Sequence, residues 1–285
     1  MNLAERLGYA ADARLLVLHS DDMGCSQAAN AATFELMEAG RLTSGSVLVP
    51  APFFDEVAVY QRAHPEADIG VHLALTSEHP RRRWRGVLGP NATPTLHDAD
   101  GYLPMTVEEV VQRADPEEAA RELRAQVEKA LDVGTDVTHL DSHMGALFYR
   151  QFLPAWTSLA SELRLPTFLP VAWRNRPAAQ AMEASGVPLL DELIFDTYGP
   201  NRAEKEILYR RLFDELPPGL THFLIHPAHD TAELWDYIVG PETRIADYGI
   251  FAEGSVHARL DEAGVRLVGH RLLRDAIRKG SLVPA

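Results

Sequence analysis

The chain has 285 residues, is 46% hydrophobic and 24% charged, and carries a formal net charge of −14. This composition suits a globular protein with a substantial core, and the acidity excludes a phosphate-backbone binder, which needs clustered Lys and Arg. A lone cysteine, Cys25, excludes an internal disulfide and a cysteine zinc cluster, and without a signal-peptide pattern or an apolar run of ~20 residues a soluble cytoplasmic protein is expected.

The first element is a strand over 15–19, where Leu15, Leu16, Val17 and Leu18 read as buried on both faces before the acid pair Asp21 and Asp22. Ser26 suits the cap of a helix over 26–39, closed by Gly40. A strand over 45–49, a helix over 53–63 and a strand over 69–75 follow. The irregular stretch 76–105 is too long for an ordinary connector and is expected to be an active-site loop. Its Arg81-Arg82-Arg83-Trp84-Arg85 run reads as solvated, or as a local contact for an anion. Helical pattern fills 106–133 in two pieces, the second opened by Asp115-Pro116-Glu117-Glu118 and ended by Gly134.

Strands over 137–141, 167–171, 192–195, 222–226 and 265–268 then alternate with helices over 151–163, 177–185, 202–215, 253–262 and 270–279. Such alternation implies a parallel sheet. About eight units suggest closure into a distorted, TIM-like (β/α) barrel, with 1–285 as a single domain.

Unusual polar residues fall at the strand ends. Asp21 and Asp22 follow the first strand, His72 lies in the third, and His139, Asp141 and His143 close the fourth; Asp196 follows the sixth and His226 ends the seventh. In a parallel barrel the strand ends share one face. Strand alternation sets His139, Asp141 and His143 on one side. Singly, these are ordinary: a strand histidine is commonly a hydrogen-bonded core residue, and an acid pair a capped turn. Together, acids and imidazoles without a nearby Lys call for a positive partner. One carboxylate with two neutral imidazoles suits Zn²⁺ or a similar divalent ion, with positions open for water and substrate.

Other residues read both ways. Trp84, Trp156, Trp173 and Trp235 suit sugar stacking or packing, and Asp196 suits orienting a site histidine or capping a turn. Arg174 suits a hydroxyl or anion contact or a plain loop, and Cys25 reads as a small buried residue.

With these motifs in view, the chain resembles the YdjC-like carbohydrate deacetylases, which are related in chemistry to the polysaccharide deacetylases. Their Asp-Asp-x-Gly is matched by Asp21 to Gly24, their Gly-x-His-Leu-x-Leu-Thr by Gly70 to Thr76, and their His-x-Asp-Ser-His by His139 to His143. A late His-Pro-Gly is matched by His226-Pro227-Ala228, and 98–104 is similar to their long-loop segment. The resemblance implies a distorted barrel with one divalent ion, Zn²⁺ or Mg²⁺, removing acetyl from an N-acetylated sugar. It implies Asp22, His72 and His143 as ligands, Asp21 as the base and His226 as the acid.

The chain departs from the family pattern at His19-Ser20 (usually Asn-Ala), Met23 (usually Phe), Met144-Gly145 (usually further histidine) and Ala228, changes expected to alter the sugar-facing wall. Expected partners are a small acetylated sugar, no nucleic acid and no membrane, and a homodimer would be unsurprising. Two rival readings are a two-metal phosphoesterase, with Asp141, Asp196 and His139 as a second site, and a non-catalytic sugar-binding protein.

Overall fold

The computed structural model describes residues 1–198 and 201–282. The first half runs α1 (Leu3–Arg6), β1 (Arg14–Met23), α2 (Gln27–Glu38), β2 (Ser44–Val47), α3 (Phe54–Ala63), β3 (Ile69–Leu73), α4 (Val107–Arg113), α5 (Pro116–Asp132) and β4 (Leu140–Ser142). The second runs α6 (Leu153–Leu163), α7 (Pro177–Ala184), β5 (Glu192–Ile194), α8 (Arg202–Asp214), β6 (Gly219–Ile225), α9 (Ala232–Tyr237), α10 (Pro241–Ala252), α11 (Ser255–Glu262), β7 (Arg266–Leu267) and α12 (His270–Lys279).

All strand pairs are parallel, in the order β4-β3-β2-β1-β6-β5. β6 runs along one edge of β1 from Arg14 to Ser20. The other edge is shared: β7 takes Leu15 and Leu16, and β2 takes His19, Ser20 and Met23. Alternation sends Leu16 and Leu18 to the helical layer, where they meet Tyr209 and Phe213 of α8 and Ile250 and Phe251 of α10.

The strand expected over 167–171 is not regular. Pro166 and Pro170 lack the N–H a ladder needs, so this segment bridges β4 and β5 with scattered bonds. Leu140 donates to the Pro166 carbonyl (3.1 Å), Leu190 to that of Leu169 (2.8 Å) and Val171 to that of Leu190 (2.7 Å). The sheet thus curls into a distorted barrel whose closure is irregular on one side.

The helix punctuation follows side-chain chemistry. Ser26 Oγ accepts from the Ala29 N–H at 2.9 Å, and Asp115 accepts from Glu117 and Glu118 at the start of α5. The loop 76–105 is folded back on the barrel. Trp84 is buried and donates its indole N–H to the Thr76 carbonyl, while Glu122 of α5 accepts from the backbone of Val87 and Leu88. Its arginines engage this chain: Arg81 pairs with Asp236, Arg82 lies over the Tyr237 ring and Arg83 pairs with Asp98. Among the described residues no helix is long and apolar enough to cross a membrane.

Candidate active site

Period-two alternation would send Asp21 and Asp22 to opposite faces of β1. The pairing of β1 with β2 slips between Ser20 and Met23, and Asp22 adopts φ 64°, a left-handed conformation. This bulge turns both carboxylates toward one cavity. A non-glycine residue held there costs about 1–3 kcal/mol, a strain typical of functional sites.

Asp22 Oδ1 lies 3.3 Å from His72 Nε2 and 3.1 Å from His143 Nδ1. That oxygen is buried and accepts no hydrogen bond. Each imidazole is turned by a second carboxylate: Asp141 Oδ1 is 2.7 Å from His72 Nδ1, and Glu78 Oε2 is 2.8 Å from His143 Nε2. A histidine so held offers its other nitrogen as a ligand. Burial works against charge on His72, yet Asp141 and Asp21 hold its pKa well above the usual value. His143 is likewise held at about 9 by Glu78 and Asp22 despite burial. His72 Nε2, His143 Nδ1 and the orphaned Asp22 oxygen face the same point. The donor set fits one divalent ion.

Asp22 Oδ2 accepts from Arg244 Nη2 at 2.6 Å. Burial raises the Asp22 pKa, but Arg244 and His143 outweigh it and keep the carboxyl well below its usual range. Asp21 Oδ2 and Asp22 Oδ2 lie 3.9 and 4.0 Å from His226 Nε2. The backbone N–H of His226 donates to Asp247 Oδ2 at 3.0 Å, and Asp247 Oδ1 accepts from Lys205 and Tyr209, both at 2.6 Å. Asp21, Asp22, His72, His143, His226 and Arg244 open on a cavity of about 380 Å³ whose wall also includes Glu78, Met144 and Tyr198. A larger groove of about 500 Å³ between α8, α10 and α11 has no histidine in its lining.

The structure brings together Asp21, Asp22, His72, His143 and His226, with Asp141 directly behind His72. It does not bring in the others. His139 lies beneath the site, stacked on His270 at 4.1 Å. Asp196 is exposed and outside the cavity wall. Arg174 pairs with Glu183, and Trp173 packs against Phe148. Of the departures from the family pattern, Met144 lines the cavity, whereas His19, Ser20, Met23 and Ala228 are buried. Arg244, Asp247 and Glu78 were not singled out from the sequence. For the first two, the available signal was Gly240-Pro241 opening a helix with Ile245, Ala246, Ile250 and Phe251 at helical spacing.

The sequence profile of the family described as YdjC-like protein matches residues 15–262. A carbohydrate deacetylase of Thermus thermophilus is 34% identical over 280 residues, covering 92% of this chain and 95% of its own. A carbohydrate deacetylase of Geobacillus stearothermophilus is 27% identical, covering 90% of this chain and 97% of its own. The fold is similar to a crystal structure from Enterococcus faecalis V583, a protein provisionally named for cellobiose-phosphate cleavage. The TM-score is 0.80 at 24% identity, covering 92% of this chain and 99% of that one.

Proposed function

Because the chain belongs to the YdjC-like family, whose curated relatives are named carbohydrate deacetylases, we propose that it hydrolyses the acetamide of an N-acetylglucosamine-type sugar. In this reading Asp22, His72 and His143 hold one divalent ion, Asp21 is the base and His226 is the acid. The observation that carries it is the buried, unbonded Asp22 Oδ1 facing two imidazole nitrogens, with Asp21 and His226 on the same cavity. Two imidazoles and one carboxylate favour Zn²⁺ over Mg²⁺, which prefers oxygen donors.

An acetamide is a poor electrophile and neutral water a poor nucleophile. The ion, when bound, supplies Lewis acidity that polarises the carbonyl and acidifies water. Asp21 takes the proton of the attacking water. His226 delivers a proton to the amine nitrogen as the C–N bond breaks, so that acetate and a free amine leave. Burial pushes the His226 pKa down, against the pull of Asp22. Arg244 and Glu78 hold Asp22 and His143 in place, and Tyr198 and Met144 border the sugar.

The two-metal phosphoesterase reading draws no support from Asp196, which is exposed and belongs to none of the carboxylate and histidine groups that could hold an ion. The test is acetate release from a panel of N-acetylglucosamine compounds, with and without Zn²⁺, Mg²⁺ or Co²⁺. Ion-dependent release is expected, and no acetate from any compound under any ion would refute the reading.

A further inference from the structure

Beneath the cavity the barrel lumen holds a layer of buried imidazoles that this reaction does not use. His19, His139, His222 and His270 are all buried. His222 Nδ1 lies 3.0 Å from His270 Nε2, and the His19 ring is 4.7 Å from that of His222. Ring nitrogens of His19, His139 and His270 lie within 4.8 Å of one another, with the His139 and His270 rings stacked at 4.1 Å and 26°.

Of the four, His19 approaches the site carboxylates most closely. Its Nε2 lies 3.0 Å from Asp21 Oδ1, 3.2 Å from Asp141 Oδ2 and 3.1 Å from Ser46 Oγ, and its Nδ1 lies 3.1 Å from Ser44 Oγ. Asp21 Oδ1 and Asp141 Oδ2 are buried and have no hydrogen-bond partner among the described residues, so the His19 ring is the group set between them. Two such oxygens without a positive neighbour would be costly.

We propose that His19 is a positioning residue, a buried imidazole set between Asp21 and Asp141 that holds the two carboxylates together and, through Asp141, fixes the orientation of His72. The proposal rests on the roles given above to Asp21 and His72. The chain of contacts is continuous: His19 Nε2 to Asp141 Oδ2 at 3.2 Å, then Asp141 Oδ1 to His72 Nδ1 at 2.7 Å, which leaves His72 Nε2 for the cavity. One residue thereby ties the base to an ion ligand. The charge on the ring is consistent with its neighbours. Burial lowers the His19 pKa, but Asp141 and Asp21 outweigh it and hold it at about 9. The other titratable groups around it are Asp68 and three imidazoles, His139, His222 and His270, that burial keeps neutral.

The test uses the full chain loaded with Zn²⁺ and two variants. His19→Leu removes the donor, and His19→Gln keeps an N–H near the Nε2 position. Expected for His19→Leu are a kcat loss of about 10²-fold with little change in KM, and Zn²⁺ affinity weakened by about 10-fold. His19→Gln should restore most of both. Unchanged Zn²⁺ affinity and kcat in His19→Leu, or equal losses in both variants, would overturn the proposal. Should His19→Leu fail to fold, nitrogen NMR of the wild-type imidazoles at about pH 7.5 decides. His19 Nε2 should carry a proton, and a bare Nε2 would overturn the proposal. Zn²⁺ affinity and ring protonation can be read on a chain that shows no turnover, so failure of the deacetylase reading is distinguishable.

Discussion

Asp141 Oδ1 sits 2.7 Å from His72 Nδ1, with both side chains buried, and this bond decides which nitrogen His72 presents to Asp22. Carboxylate partners of ligating histidines commonly contribute 10–100-fold to metal affinity. Asp141→Asn replaces a pure acceptor with a group that can donate, and so removes the preference for the Nδ1–H tautomer. Zn²⁺ affinity should weaken by about 10–100-fold with the fold retained, as read by calorimetric titration and circular dichroism. Affinity at the wild-type level would separate Asp141 from the ligand.

Asp21 and His226 are expected to separate cleanly from the ligands. Asp21→Asn should keep its metal content and lose about 10²-fold or more in turnover. His226→Ala should also keep its metal and lose most turnover on acetamides. On an activated acetyl ester, whose leaving group needs no proton, it should lose far less. Equal loss on both substrates would remove His226 as the proton donor.

Much of this site is legible in the sequence, because barrel strands deliver their ends to one face whatever their separation along the chain. That rule is enough to gather Asp21, His72, Asp141, His143 and His226. It does not explain why Asp21 and Asp22 point the same way, which takes the left-handed Asp22 and the slipped register of β1. Strand alternation also treats His139, Asp141 and His143 as equals. In the structure the strand ends at Ser142, His143 lies beyond it, and His139 drops into the lumen. Arg244 was hidden because α10 follows α9 with only a short break, in a stretch where no strand marks the rhythm. The apolar run over 167–171 reads as a strand, but Pro166 and Pro170 leave it only scattered bonds to its neighbours.

Lys205 is fully buried and pairs with Asp247, which also accepts from the backbone N–H of His226. Breaking a buried pair by removing one partner typically costs about 3–5 kcal/mol. Lys205→Met should lower unfolding stability by about that amount and, by loosening Asp247, reduce turnover without changing metal content. Urea unfolding with metal analysis checks it. Stability within about 1 kcal/mol of wild type would show that Asp247 needs no such partner.

The buried histidines set the pH dependence of the metal-free chain. His19 and His143 are held at about 9 and His72 well above 6.5, so the folded chain binds more protons than the unfolded one between pH 6.5 and about 9. The stability they contribute is complete below pH 6.5 and is lost as the pH rises through 9. Burial and neighbouring imidazoles hold His139 and His222 well below 6.5 and His270 at about 3. Here the unfolded chain binds more protons, so stability falls as the pH drops below 6.5. The urea midpoint of chelated protein should therefore peak at about pH 6.5. A midpoint that keeps rising towards pH 9 would contradict this distribution of charge.

The central claim is that one ion on Asp22, His72 and His143 makes this chain a deacetylase. The most direct measurement titrates Zn²⁺ into chelator-treated protein and follows acetate release from an N-acetylglucosamine oligosaccharide, beside His72→Ala and His143→Ala. Acetate release should climb to a plateau at one ion per chain, and both variants should stay folded, bind no ion tightly and release almost none. Undiminished release from the chelated protein, or wild-type ion binding in both variants, would contradict the claim.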